Sequence, residues 1–335
     1  MQGSVHSNPD AARRIPSAPF DGRRFQNPEG RAGNGLLHLL RWVATSKRQG
    51  WPKQIADPAA PIQHDQPPPG AIAATFIGHS TFLLQLGGLN LLTDPVYSER
   101  VGPWNLAGPR RVRAPGVPFE QLPPIDAVLL SHNHYDHMDL STLARLRRKF
   151  DPLMVTTLGN ARFLRRRGFA KVVELDWWET HECLGHLGLL LTPAQHFSSR
   201  HVFDRDRTLW GGFVISSGGQ RVYFVGDSGY GEHFRQIAER VRDIDLALIP
   251  IGAYEPRWFM RRAHVNPEEA VRIHLDVRPR KSVGMHFGTF QLTDEAIDDP
   301  PRHLREALRE QNVHENEFVV PGFGQRIAIS VKRET

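Results

Sequence analysis

Residues 131–139 read SHNHYDHMD, three histidines and two aspartates in nine positions. They follow the short apolar run IDAVLL (125–130) and precede the helical pattern LSTLARLRRKF (140–150). A strand therefore ends where the cluster begins, and side chains on the turn beyond it converge on one point instead of alternating across a sheet. His132, His134, Asp136 and His137 offer imidazole and carboxylate groups, which suit zinc and its first-row neighbours iron and manganese. A single tetrahedral zinc takes three such groups and a water molecule, so four within six residues point to two ions side by side. Among 17 histidines spread over 335 residues, a chance cluster of this density is a poor alternative.

Two ions need further ligands, and other strand ends supply them. LTPAQHF places His196 just past a strand, VYFVGDSGY places Asp227 at the end of another, and SVGMHFGTF places His286 at the end of a third. The glycines beside Asp227 allow a second chain or an ion to approach closely. Each of the three alone reads as an ordinary hydrogen-bonded residue. Together with the cluster they make seven ligands.

The rest of the pattern frames this site. AIAATFIGHSTFLLQLGGLNLLTDP reads as two or three strands around the Gly87–Gly88 turn, and LMVTTL, LGLLLTP, IDLALIPIG and RIAISV read as further strands. Gly218–Gly219 marks a hairpin in LWGGFVISSGGQRVYFVGD. Helical stretches lie between, and NPEEAVRIHLDV has a marked start, with Asn266 at the cap and Pro267 behind it. The expectation is an α/β fold of two packed sheets covered by helices.

Charge is concentrated at one end. Residues 1–53 hold nine basic and three acidic residues, an excess equal to the formal net charge of +6 for the whole chain, and the remaining 282 residues hold 33 of each sign. The proline-rich ADPAAPIQHDQPPPG (56–70) then divides a basic arm (1–69) from a main domain (70–335). Within the arm, GLLHLLRWVATSKRQGW (35–51) fits a basic amphipathic helix with a tryptophan at its boundary, suited to a lipid surface or to docking on its own domain. The one cysteine, Cys183, excludes an internal disulfide and fits a reducing compartment. No apolar stretch suggests a signal peptide or a spanning helix. These features imply a cytoplasmic protein, at most peripheral to the inner face of a membrane.

H-x-H-x-D-H, a distant histidine, a Gly-Asp and a final histidine resemble the metallo-β-lactamase superfamily, and Asp94 in LLTDP matches its early motif. IGAYEPRWFMRRAHVNPEEAVRIHLDV, MHFGTF and PPRHLREAL resemble N-acylphosphatidylethanolamine-hydrolysing phospholipase D and its bacterial relatives. This likeness runs from FDGRRFQNP (20–28) to the end of the chain. It implies a four-layer αβ/βα sandwich with mixed sheets and two zinc ions, iron or manganese being alternatives. One ion would be held by His132, His134 and His196, the other by Asp136, His137 and His286, with Asp227 bridging. Asp136, Asp227 and His264 would be the catalytic residues, His264 lying near the phosphate and leaving group or, equally, serving only as a helix-entry residue. Asp94 would orient ligating imidazoles. Ala263 stands where mammalian members carry glutamine, and homodimers occur in the family.

The activity implied is hydrolysis of a phospholipid to phosphatidic acid and an N-acylethanolamine. Trp258, Phe259 and Met260 among Arg257, Arg261 and Arg262 read as an apolar tip in a basic collar or as a buried aromatic cluster, and Trp177–Trp178 carries the same ambiguity. His79, Tyr135 and Tyr254 read as structural, and His181, His186 and His201 as ordinary loop residues. A lactonase or other small-molecule hydrolase uses the same ligand set. The charge balance of the main domain speaks against a nucleic-acid substrate, and the full ligand complement against a non-catalytic scaffold.

Overall fold

The structure, a computed structural model, describes residues 17–27, 29–30, 35–57, 65–201 and 203–330. After helix α1 (Leu36–Thr45), strands β1 (Ala71–Gly78), β2 (Thr81–Leu86) and β3 (Leu89–Thr93) form an antiparallel meander. The β2–β3 turn is closed by Gly87 and Gly88, both left-handed at φ 58° and 79°. Strand β4 (Ala127–Leu130), helix α2 (Leu140–Lys149), β5 (Leu153–Thr157), α3 (Ala161–Arg165) and β6 (Val172–Leu175) continue the sheet in parallel. Asp139 caps α2 by accepting the Ser141 amide.

The second sheet starts with antiparallel β7 (Thr180–Cys183), β8 (Leu187–Thr192), β9 (Gly212–Ser217) and β10 (Gln220–Phe224). Helix α4 (His233–Arg240), β11 (Leu246–Pro250), α5 (Arg257–Met260), α6 (Pro267–Val277), β12 (Lys281–Met285), α7 (Asp299–Glu310) and β13 (Phe318–Val319) follow. The last described strand, β14 (Arg326–Ser330), returns to the first sheet beside β1. The strand orders are 14-1-2-3-4-5-6 and 13-12-11-10-9-8-7. Asn266 and Glu269 form the full reciprocal cap that starts α6.

Alternation along the strands explains the layers. On β2, Phe82 and Leu84 point into the core between the sheets, while Leu83 points to the core beneath α2 with Val128, Leu143 and Leu146. Phe213, Ile215, Val222 and Phe224 meet the inter-sheet core from the other side. Each such side chain contributes about 1.5–3 kcal/mol on burial. Two mixed sheets packed face to face, with helices outside, are the α/β sandwich the sequence implied. Among the described residues no helix is long and apolar enough to cross a membrane.

Residues 17–27 touch the main domain at separate points. Ala18 and Phe25 lie in the main hydrophobic core, at 0% and 6% exposure, and the Phe25 amide donates to Asp206 O.

Strand direction places the site. β1 and β3 both run antiparallel to β2, and β4 runs with β3, so all three finish at one edge. In the second sheet β8 and β10 both oppose β9, and β11 and β12 run with β10. Their ends carry His79, Asp94 and Ser131 on one side, and Asp227 and His286 on the other, with His196 shortly past β8.

Candidate metal centre

At this edge the structure brings all seven candidate ligands together with His264 and His79. Two groups have donor atoms within 4.8 Å of one another: His132, His134 and His196 form one, and His79, Asp136, His137 and His286 the other. Asp227 joins His196 and His264 in a further group. In the first group, His134 Nδ1 lies 2.8 Å from His132 Nε2 and 3.4 Å from His196 Nε2. Nitrogens bound to one tetrahedral zinc at 2.0–2.1 Å stand roughly 3.3 Å apart, so this group fits such an ion.

The opposite ring nitrogens are fixed by the protein. His137 Nδ1 donates to Asp94 Oδ2 at 2.6 Å, and the same carboxylate accepts from the Ser131 amide and hydroxyl. His196 Nδ1 donates to the Ala263 carbonyl at 2.9 Å, and His132 Nδ1 meets Ser131 Oγ at 2.9 Å. Each contact leaves Nε2 of its ring to face the cluster, the arrangement by which outer partners orient metal ligands. Asp94 thus has the orienting position expected of it.

Several inner atoms face charged neighbours without a well-aligned hydrogen bond. His137 Nε2, His264 Nδ1, both ring nitrogens of His286 and Asp227 Oδ1 are buried without a directed hydrogen bond. Buried polar atoms are rarely left so, and donors of this type aimed at a common space suit cations. The electrostatics agree. Burial alone would lower the histidines, but Asp227 and Asp136 raise His286 to about 9, and with Asp94 they lift His137 well above its usual range. Burial would raise Asp227, yet His137 and His286 hold it well below the usual carboxylate range. The carboxylates draw positive charge into the centre. His134 and His264 are instead pushed down to about 4, chiefly by burial.

Local backbone accounts for the convergence. His79, Asp94 and His286 are left-handed, at φ 56°, 32° and 59°, a conformation uncommon outside glycine and often found where function holds the chain in place. Gly226, before Asp227, also has positive φ, and a Cβ there would stand 2.9 Å from the Ser131 Cβ. The ligand-bearing ends of the two sheets meet at this glycine.

Ser131 and Asn27 were not foreseen, and His79 was foreseen as a hydrogen-bonding residue but not in its place beside a ligand. His79 was expected to form structural hydrogen bonds, and its Nε2 lies 3.0 Å from Asp136 Oδ2, directly on a candidate ligand. Ser131 opens the histidine run and joins Asp94 to His132. Asn27, only 7% exposed, donates to the His196 carbonyl at 2.7 Å and accepts its amide at 3.1 Å, while Trp210 Nε1 donates to Asn27 Oδ1 at 3.0 Å. Its one sequence signal was that the family likeness already began at residue 20.

Other candidates lie apart. Tyr254 OH pairs with His303 Nδ1, and Tyr135 OH donates to the Arg200 carbonyl. His186 pairs with Gly87 O and exposed His201 with Asp204. Arg257 is no collar residue, because it pairs with Glu269 at 2.7 Å and donates to the His264 carbonyl. Trp177 is buried, and Trp178 lies beneath Arg240.

Comparison with known proteins agrees with this geometry. A beta-lactamase superfamily domain model matches residues 89–287. The chain is 33% identical over 329 residues to N-acyl-phosphatidylethanolamine-hydrolyzing phospholipase D 1 of Caenorhabditis elegans, covering 91% of this chain and 92% of that protein. It is 37% identical over 301 residues to an uncharacterized protein of Mycobacterium tuberculosis, covering 87% of this chain and 78% of the relative. Among solved structures, isothiocyanate hydrolase from Delia radicum gut bacteria aligns with a TM-score of 0.63 at 22% identity, over 78% of this chain and 100% of the other. That last likeness speaks to the fold alone. The chain belongs to the metallo-β-lactamase superfamily and is a metal-dependent hydrolase that resembles N-acylphosphatidylethanolamine-hydrolysing phospholipase D.

Proposed function

We propose that the chain is a dinuclear zinc phosphodiesterase of the phospholipase D type. Its substrates would be N-acylphosphatidylethanolamine-like glycerophospholipids, cleaved to a phosphatidic acid and an N-acylethanolamine. The position of Asp227 carries the dinuclear reading. Its Oδ2 lies 3.1 Å from His137 Nε2 and 3.2 Å from His286 Nε2 on one side. On the other it lies 3.8 Å from His196 Nε2 and 4.0 Å from His132 Nε2. One carboxylate between two donor groups suits two ions better than one.

His132, His134 and His196 would hold one ion and Asp136, His137 and His286 the second, with Asp227 within reach of both donor groups. Nitrogen and oxygen donors without thiolate fit zinc, and iron and manganese accept the same set. When bound, such ions supply Lewis acidity toward a phosphoryl group and acidify a water molecule. Asp94, Ser131 and the Ala263 carbonyl keep the imidazoles aimed. His79 shares the Asp136 carboxylate and so limits its rotation. His264 points a buried nitrogen toward Asp227 Oδ2 from 4.0 Å. Held neutral by burial, it serves the phosphodiester as a hydrogen-bond donor that positions the bond to be broken. Water oxygen becomes bonded to phosphorus, the bond to the ethanolamine oxygen breaks, and that oxygen takes a proton.

The lipid substrate is supported by the likeness to the C. elegans enzyme over nearly the whole of both chains. The test is mass spectrometry of products from N-acylphosphatidylethanolamine micelles, with metal content measured on the same protein. Phosphatidic acid and free N-acylethanolamine uphold the reading. Intact lipid, from protein that holds two ions and cleaves a generic diester, removes the substrate assignment. Asp227→Asn should lower kcat by about 10³-fold or more, and His264→Ala by only about 10–100-fold. Equal and mild losses would count against two ions sharing Asp227.

A further inference from the structure

Helix α1 sits the wrong way round for a helix docked on its own protein. It is anchored by Trp42, whose Nε1 donates to Asp294 Oδ1 at 3.1 Å and whose ring lies 4.9 Å from that of Phe259. At 100° per residue, Leu37, Leu40, Val43 and Ala44 share an arc of about 120° turned away from Trp42. Leu37, Leu40 and Val43 are 81%, 55% and 70% exposed. An apolar stripe that would ordinarily face a core instead faces outward.

A second element extends this face. Trp258 of α5 is 43% exposed, and the Arg41 guanidinium lies 4.7 Å from its ring centre. Exposed cations outnumber acidic groups around this face. Arg41, Lys47 and Arg48 on the α1 side and Arg261 and Arg262 on the α5 side are exposed, and the sequence has no acidic residue between Glu29 and Asp57. Asp294, against which α1 packs, is engaged by Trp42, by Ser46 Oγ at 2.8 Å and by Arg48.

The face is also joined to the metal centre. α5 leaves the strand edge that carries the ligands, and the His264 amide donates to Met260 O at 2.9 Å. Arg257 Nη1 donates to the His264 carbonyl at 2.9 Å. Another apolar tip, with Trp104 and Leu106 at 89% and 80% exposure, is carried by the segment that leaves the same edge after β3.

We propose that α1 and α5 form a docking surface for an anionic lipid bilayer. Leu37, Leu40, Val43 and Trp258 enter the headgroup region, and the flanking cations Arg41, Lys47, Arg261 and Arg262 meet lipid phosphates. The choice of a bilayer over another partner rests on the lipid reading of the site. Docked so, the protein holds His264 and the metal centre beside the headgroups, and a lipid reaches them without leaving its monolayer.

The test is flotation of the full chain with phosphatidylcholine vesicles, with and without phosphatidylglycerol, neither lipid being the proposed substrate. Binding is expected only with phosphatidylglycerol, weakening as salt is added. The double variant Leu37→Asp, Leu40→Asp should bind at least about tenfold more weakly, with melting temperature and metal content unchanged because both side chains are exposed. Trp258→Ala should weaken binding by a smaller factor. Equal binding by wild type and double variant, or no wild-type binding, overturns the proposal. So does light scattering that shows a dimer in the wild type and a monomer in the double variant, which would make the face a contact between copies. Wild-type protein that binds these vesicles but leaves N-acylphosphatidylethanolamine intact keeps the docking surface and sinks the substrate reading alone.

Discussion

Residues 17–27 with Glu29, and helix α1, are neighbours in one basic stretch of sequence, and the folded chain holds them by different means. The first segment is largely exposed but pinned at points: Ala18 and Phe25 join the main hydrophobic core, Asn27 grips the backbone of His196, and the Glu29 carboxylate accepts the Glu232 amide. The second touches the protein mainly through Trp42 and presents leucines to the outside. Net charge could not separate them, because charge sits on exposed ends of side chains whatever the backbone beneath is doing. What separates them is whether short polar groups find backbone partners. Asn27 does, across 169 residues of sequence.

The contrast can be broken at several points, beginning with the largest expected effect. Asn27→Ala removes both hydrogen bonds to the backbone of His196 and one of the two acceptors of the Trp210 indole N–H, which keeps the Ala194 carbonyl at 2.8 Å. Metal affinity should fall about 10–100-fold in a competitive chelator titration, with a stability loss of about 1–3 kcal/mol. An unchanged affinity would mean that the segment supports the fold and not the centre. Trp42→Ala comes next. It should unmoor α1, raising amide exchange and proteolysis across residues 36–53, and leave metal affinity within about twofold, since additivity holds for distant sites. If metal is lost as readily as in Asn27→Ala, the two segments are not distinct. Smallest is Leu40→Gln, a surface change expected to shift stability by at most about 0.5 kcal/mol. A much larger loss in thermal melting would show that the outward face packs on something in solution.

The same comparison shows what the sequence made legible. The His132–His137 run was plain because four donors lie on one turn, and the strand-end argument located His196, Asp227 and His286 because strand direction alone brings those ends to one edge. Less visible were groups that act over long separations or sit at margins. Asn27 has no pattern of its own. The edge strands β6 (VVEL), β7 (THEC) and β13 (FV) are short, and β7 is largely exposed, so none shows the apolar alternation that marks an inner strand. The tryptophan expected at a lipid boundary was misplaced for a related reason. Trp42 and Trp51 both turn inward, Trp51 donating to the Glu295 carbonyl, and the exposed indole beside α1 is Trp258. An indole's N–H seeks a buried acceptor, and one offered by a distant loop cannot be read from local spacing.

Strand β14 has a consequence for time. It pairs along β1, whose residues are all buried in the finished sheet. During synthesis β1 is made early and its partner late, so its outer row of amides and carbonyls waits uncovered while most of the chain is still to come. An open apolar strand edge invites pairing with other chains, and closing a sheet with its most distant partner is slow. Chains interrupted before residue 326 should therefore aggregate through β1 even though every metal donor is already present.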